Sequence, residues 1–159
     1  HIPPHKTDEL LASEADRINM LAVALSGFDN FEIDDCEFKR EGKSYTYDTV
    51  VYLKNKYPED DFYLIVGEDQ YLFFDKWYRY EDILKLTTVV TACRHINRYK
   101  ELLQYKNSHI KMENSIVSDF DVIEVSSSQI RAEIKAKKDI SSLVPDGVEK
   151  YIKEHGLYV

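Results

Sequence analysis

Two short apolar runs constrain the fold of this chain more than any other feature. Residues 62–66 are continuously apolar, and residues 87–93 are rich in β-branched side chains. A continuous apolar run is typical of a strand that is covered on both faces, as in a parallel sheet, and β-branched residues favour a second strand at residues 87–93. Helical patterns precede, separate and follow the two runs, so that strands and helices alternate along the chain. The sequence therefore predicts an α/β fold with a parallel sheet and right-handed crossovers.

Capping signals and periodicity assign the remaining elements. Ser13 opens a capping box before a helical pattern that Gly27 ends, and Ser44 or Thr46 is suited to cap a second helix that stops at Pro58. The same reasoning predicts strands at residues 31–38, 109–112 and 119–125, and helices at residues 97–106, 130–137 and 146–154.

Polar side chains follow three of the predicted strands. Asp69 comes after residues 62–66, Arg94 ends the run at residues 87–93, and Ser126 follows residues 119–125. Ligands of open α/β sheets collect beyond the carboxyl ends of the strands, where a carboxylate accepts bonds from ribose hydroxyls. Local sequence fits an alternative equally well, in which Asp69 is only the N-cap of a helix over residues 70–74.

The stretch from Ser126 to Arg131 resembles a helix N-terminus built for an anion. Such an end has unpaired backbone N–H groups and a partial positive charge, and here three serine hydroxyls and a guanidinium are added. Phosphate fits this combination best. The alternative is that Ser126 or Ser127 merely caps the helix and Arg131 is a solvated surface residue.

Composition narrows the class of partner. A chain of 159 residues fits one domain, and its net charge of −8 argues against binding long nucleic acid through a basic face. A small anionic nucleotide needs only a local positive pocket.

Cys36 and Cys93 form no C-x-x-C pair, and the prolines between His1 and His5 argue against a metal site there. With no apolar run of 18 residues, we expect a soluble cytoplasmic protein that binds no membrane.

Motifs along the whole chain carry a family resemblance. They are Pro3-Pro4-His5-Lys6, Arg17 with Met20-Leu21, Glu37, Ser44-Tyr45-Thr46 with Asp48-Thr49, Gly67-Glu68-Asp69, Trp77-Tyr78, Arg94, the stretch from Val125 to Arg131, and Leu157-Tyr158. With this ordered set the chain resembles the bacterial nicotinate-nucleotide adenylyltransferases. The resemblance implies a Rossmann-like, doubly wound nucleotidyltransferase fold. It also implies transfer of AMP from Mg²⁺-bound ATP to nicotinate mononucleotide, which gives deamido-NAD and pyrophosphate in NAD biosynthesis.

The resemblance also implies roles for individual residues. Ser126, Ser127 and Arg131 match the motif that holds ATP phosphates, where Ser128 replaces a threonine, and Asp69 matches a ribose-binding aspartate. Arg94 is assigned to the same ATP site. On the acceptor side, the backbone N–H of Thr46 takes the nicotinate carboxylate and Trp77 stacks on the pyridine, with Tyr45 and Lys6 beside them. Glu68 stands where relatives often have alanine or glutamine.

One departure concerns the front of the chain. The family signature with two histidines lies upstream of the Pro-Pro-His-Lys loop and is absent here, together with the first strand and helix. We therefore expect residues 1–159 to be a single, N-terminally truncated nucleotidyltransferase domain without its catalytic histidines. A polypeptide that begins at His1 is then expected to show no adenylyl transfer. A related nucleotidyltransferase acting on pantetheine phosphate and a non-catalytic nucleotide-binding module stay open, as does assembly into a homo-oligomer.

Overall fold

The computed structural model describes residues 12–93, 98–119 and 125–159. The chain falls into two compact units. Residues 44–124 form one of them, the sheet unit, and residues 1–43 with 125–159 form the other, the helical unit. The expectation of a single domain over residues 1–159 stays a prediction.

The sheet unit contains a parallel sheet of three strands, counted over the described residues. The strands β1 (Tyr63–Gly67), β2 (Thr88–Ala92) and β3 (Ile116–Ser118) lie in the order β1-β2-β3. Ile65 is paired with Val90, and Val90 with Ile116. The predicted α/β architecture with parallel strands is confirmed, and residues 62–66 and 87–93 supply its first two strands.

Seven α-helices occur in the described residues. They are α1 (Glu14–Leu25), α2 (Thr46–Lys56), α3 (Glu68–Tyr71), α4 (Tyr80–Leu86), α5 (Tyr99–Ser108), α6 (Ser127–Lys135) and α7 (Asp146–Glu154). Helices α2 to α5 belong to the sheet unit, and α1, α6 and α7 belong to the helical unit.

Side chains from β1, β2 and the helices make the core of the sheet unit. Its members are at most 8% exposed: Val50, Val66, Tyr71, Phe74, Ile83, Val89, Cys93, Leu102 and Met112. Burying one such apolar side chain stabilises a fold by about 1.5–3 kcal/mol. The buried hydroxyl of Tyr71 lies 2.5 Å from Ser115 Oγ, which donates its own proton to the Met112 carbonyl. Tyr71 is therefore the donor, and no hydroxyl of this pair is left unbonded.

Strand β1 is covered on only one face. Val66 is buried, but Tyr63 is 62% and Ile65 is 80% exposed. The expectation that this run is covered on both faces is therefore wrong. Alternate side chains of a strand point to opposite faces, and a run that is apolar throughout does not say how many faces are covered.

The helical unit has a smaller core where α1 and α7 meet. Ile140, Val148 and Ile152 are buried there. Tyr151 on α7 donates a 3.0 Å hydrogen bond to Asp16 on α1, and Ser13 caps α1 as predicted by accepting a bond from the Asp16 N–H. A Cβ added at Gly147 would lie 2.6 Å from Val23 Cγ1, so the two helices approach closely at this glycine.

Several sequence predictions need correction. Residues 31–38 form no strand, because Asp34 accepts a bond from the Cys36 N–H and the chain turns there. Residues Ile110–Met112 form a 3-10 helix, and the strand near them is β3 instead. Tyr45, and not Ser44 or Thr46, occupies the N-cap of α2, without a side-chain capping bond. Residues 120–124 of the strand predicted at 119–125 lie outside the described residues.

Candidate functional site

The first group of predicted site residues lies at the carboxyl end of β1. This strand runs directly into α3, whose N-cap is Gly67 and whose first turn holds Glu68 and Asp69. The alternative in which Asp69 is an N-cap is therefore wrong. The Asp69 side chain is 70% exposed, while that of Glu68 is 3% exposed. An exposed carboxylate at this end of a parallel strand is suited to accept bonds from ligand hydroxyls.

Arg98 joins these two carboxylates to the start of α5. Its Nη1 lies 2.7 Å from Asp69 Oδ1 and 3.1 Å from Glu68 Oε1, and its Nε lies 3.2 Å from Glu101 Oε2. Hydrogen bonds to Asp69 and then to Glu101 raise the pKa of Arg98 further, so the guanidinium stays charged. The sequence reasoning missed this residue, because nothing local connects position 98 to positions 68 and 69.

Three of the predicted acceptor residues, Tyr45, Thr46 and Trp77, lie in the sheet unit. Tyr45 and Thr46 begin α2, and the ring of Tyr45 lies 4.6 Å from that of Tyr78. The Arg79 guanidinium lies 4.0 Å from the ring centroid of Tyr47. These contacts place the start of α2 against the segment that follows Trp77. At such a helix start the backbone N–H of Thr46 has no intrahelical acceptor.

Trp77 and Tyr78 differ in how they are held. Trp77 is partly buried and packs against the core, with its ring 4.9 Å from that of Phe74. Tyr78 is 53% exposed and contacts Tyr45, although the sequence analysis gave it no binding role. Its place beside Trp77 in an aromatic segment was the one available signal. The rings of Tyr45 and Tyr78 together present an exposed aromatic surface.

The turn after this aromatic pair is strained. Arg79 has a φ of +54°, in the left-handed region that costs a non-glycine residue about 1–3 kcal/mol. Its Nη2 lies 2.8 Å from Asp82 Oδ2, and the guanidinium stacks on Tyr47. The ion pair raises the pKa of Arg79, and these contacts hold a permanent cation beside the aromatic surface.

The third group lies in the helical unit at the start of α6. Ser126 is the N-cap, and its Oγ accepts a 3.1 Å bond from the Gln129 N–H. The capping alternative is therefore correct for Ser126, and the N–H groups of Ser127 and Ser128 have no intrahelical acceptor because they open the helix. Arg131 Nη2 donates a 3.1 Å bond to Ser128 Oγ, so the guanidinium reaches back along the helix toward its first turn.

Arg94 and Lys6 lie outside the described residues. Over residues 12–93, 98–119 and 125–159, no three His, Cys, Asp or Glu side chains are arranged to hold a metal ion. None of the helices described is long and apolar enough to span a bilayer. An open depression of ≈ 440 Å³ borders Arg98, and the residues that line it are Leu72, Phe73, Arg98, Glu101, Gln104, Tyr105 and Ser108.

Comparison with known sequences gives a consistent set of relatives. The cytidylyltransferase-like family model matches residues 1–133. The nicotinate-nucleotide adenylyltransferase of Bacillus subtilis strain 168 is 35% identical over 158 residues, which cover 99% of this chain and 78% of that protein. A probable nicotinate-nucleotide adenylyltransferase of Bacillus pumilus is 37% identical over 158 residues, which cover 99% of this chain and 78% of that protein. One of Listeria monocytogenes serotype 4b is 38% identical over 157 residues, which cover 99% of this chain and 77% of that protein.

Solved structures support the fold. Nicotinic acid mononucleotide adenylyltransferase of Plasmodium falciparum, complexed with NaAD, matches with a TM-score of 0.72 at 19% identity, over 96% of this chain and 78% of that one. The same enzyme complexed with APC also gives 0.72, over 93% and 77%. The nucleotidyltransferase fold predicted from the sequence is confirmed by this likeness.

Proposed function

The chain belongs to the nicotinate-nucleotide adenylyltransferase family of cytidylyltransferase-like proteins, and from this premise we propose that it transfers AMP from ATP to nicotinate mononucleotide. The products are deamido-NAD and pyrophosphate, and the reaction is a step of NAD biosynthesis. The observation that carries the proposal is the 35–38% identity, over nearly the whole chain, to proteins that are named for this activity.

The start of α6 is proposed as the site of the ATP phosphates. Ser126 caps the first turn of α6. The N–H groups of Ser127 and Ser128 are therefore directed out of the helix end. Arg131 adds a guanidinium that matches phosphate oxygens in shape and charge. Arg94 is proposed to contact the same nucleotide.

Asp69 is proposed to accept hydrogen bonds from the ATP ribose. Its exposed carboxylate at the end of β1 supports this role, since a hydroxyl can approach it from solvent.

The start of α2 is proposed as the acceptor site. The N–H of Thr46 would bind the nicotinate carboxylate, and Trp77 would stack on the pyridine ring, with Lys6 near the acceptor phosphate. The contact between Tyr45 and Tyr78 supports this proposal, because it places an aromatic surface at the helix end where the N–H is free.

Chemistry at such a site requires positioning and charge stabilisation, without a covalent enzyme intermediate. An oxygen of the mononucleotide phosphate attacks the α-phosphorus of ATP in line with the bond to pyrophosphate. That phosphorus–oxygen bond breaks, and its electron pair leaves with pyrophosphate. Mg²⁺ bound through the ATP phosphates would supply charge neutralisation there. Arg131 and the α6 N–H groups would hold the phosphate oxygens while charge moves toward the leaving group.

A product assay with three acceptors tests the proposal. Purified protein is incubated with Mg²⁺, ATP and nicotinate mononucleotide, its amide analogue or pantetheine phosphate, and pyrophosphate and dinucleotide are measured. Deamido-NAD is the expected product of the protein that carries the upstream two-histidine segment, and no transfer is expected from the protein that begins at His1. In the extended protein, product from pantetheine phosphate alone would identify the alternative transferase, and ATP binding without turnover would identify a binding module. The protein is assayed from His1 and with an upstream segment that carries the two-histidine signature, because the need for that signature stays a prediction.

A further inference from the structure

Arg98 connects residues that the sequence keeps far apart. It lies immediately before α5, and its guanidinium contacts Glu68 and Asp69 at the end of β1, 30 and 29 positions earlier. Three carboxylates surround this one guanidinium, with Glu101 as the third. An arginine held by several acceptors has little rotational freedom, because its planar fork fixes both the direction and the plane of each bond.

Glu68 and Asp69 play different parts in this cluster. Glu68 is 2% exposed, so its carboxylate anchors the guanidinium from inside the fold. Asp69 is largely exposed, and an exposed side chain loses rotamer freedom when it binds a ligand. The 2.7 Å bond from Arg98 Nη1 to Asp69 Oδ1 restrains one oxygen beforehand and leaves the carboxylate oriented toward solvent. Ordering a binding group in advance raises affinity, because less freedom is lost on binding.

We propose that Arg98 is a positioning residue that holds the Asp69 carboxylate for the ATP ribose, with buried Glu68 as its anchor. This inference rests on the proposed function, in which Asp69 binds the ribose. It also gives a reason for an acidic residue at position 68: a buried carboxylate there fixes the arginine that orients its neighbour.

The test removes the arginine and, separately, the ribose hydroxyls. Arg98→Met, Arg98→Lys, Glu68→Gln and the double variant Arg98→Met with Glu68→Gln are compared with the unchanged protein. Binding of ATP, 2′-deoxy-ATP and 3′-deoxy-ATP is measured by calorimetry on protein whose circular dichroism shows it to be folded. Lys111→Met is the matched control, because it breaks an ion pair with Glu81 in the same unit, away from Asp69.

The unchanged protein should bind ATP about 10- to 150-fold more tightly than the deoxy analogue that lacks the hydroxyl held by Asp69. Arg98→Met should remove most of this preference, by weakening ATP binding while the affinity for that analogue changes little. The double variant should show no more preference than Arg98→Met alone. Arg98→Lys should keep part of the preference for ATP over the deoxy analogue, and Lys111→Met should keep all of it.

Two results would overturn the inference. If Arg98→Met weakens ATP and both deoxy analogues equally, the arginine only supports the fold; if the preference survives in every Arg98 variant, Asp69 needs no such support. A failure of the proposed function is distinguishable, because protein extended by the upstream two-histidine segment would then form no deamido-NAD. In active protein, Arg98→Met should raise the KM for ATP more than it lowers kcat, as expected for lost ground-state binding.

Discussion

Replacing Trp77 by alanine should weaken acceptor binding and stability at the same time, by amounts that can be estimated separately. The indole is partly buried and packs on Phe74 at the edge of the sheet-unit core. Truncating a fully buried aromatic side chain costs about 3–5 kcal/mol, so a partly buried one should cost about 2 kcal/mol. Stacking on a flat heterocycle contributes about 1–3 kcal/mol, which corresponds to a loss of affinity of about 5- to 150-fold.

The assay is calorimetric titration with nicotinate mononucleotide and with ATP, together with urea denaturation. Trp77→Phe keeps a ring at the same position and should lose less on both measures. Phe73→Ala is the control from the same segment, since Phe73 is 64% exposed and should cost under about 1 kcal/mol of stability without changing acceptor affinity. Equal weakening of ATP and acceptor binding by Trp77→Ala would show that the indole only supports the core.

Three further predictions concern the helical unit. Arg131→Lys should keep part of the ATP affinity and Arg131→Ala little, because lysine retains the charge but not the fork; normal ATP kinetics in the alanine variant would remove the proposed phosphate site. Hydrogen bonds from Ser13 and Tyr151 lower the pKa of Asp16 below its usual 3.8, so its contribution to stability is fully present above pH 3.8 and is lost as pH falls through its folded pKa. Asp16→Asn should therefore destabilise the protein above pH 3.8 and have a shrinking effect below it, which urea titrations at several pH values would check. Gly147→Ala should cost up to about 2 kcal/mol through the clash with Val23, yet become neutral or stabilising in a Val23→Ala background; the same cost in both backgrounds would contradict the close contact.

Elements with strong local signals could be predicted from the sequence. Residues 62–66 and 87–93 carry enough β-branched and apolar side chains to identify β1 and β2, and Ser13 identifies the start of α1 through its capping bond. β3 has only three residues, which is too short for a period of two to be recognised. The failed strand at residues 31–38 shows the opposite error, since Asp34 bonds the Cys36 N–H and turns an apparently extended stretch.

The site residues that could be predicted are likewise those with a local sequence signal. Asp69 and the serines of α6 follow strand patterns or open a helix pattern, so local reasoning could find them. Arg98 could not be found, because its importance comes from contacts with residues about 30 positions away. Tyr78 was passed over in favour of Trp77, since composition alone does not say which ring of an aromatic segment stays exposed.

The half-covered strand β1 also has a consequence for aggregation. In the described part of the chain β1 has one strand neighbour, β2, and residues 62–67 carry no charge and no proline. Uncharged segments of this kind are the ones that recruit identical segments from other molecules into cross-β assemblies. Asp60 and Asp61 precede the segment and Glu68 and Asp69 follow it, so like charges would be brought together whenever two copies stacked in register. Asp69, which is proposed above to bind the ribose, would also act as a gatekeeper against aggregation.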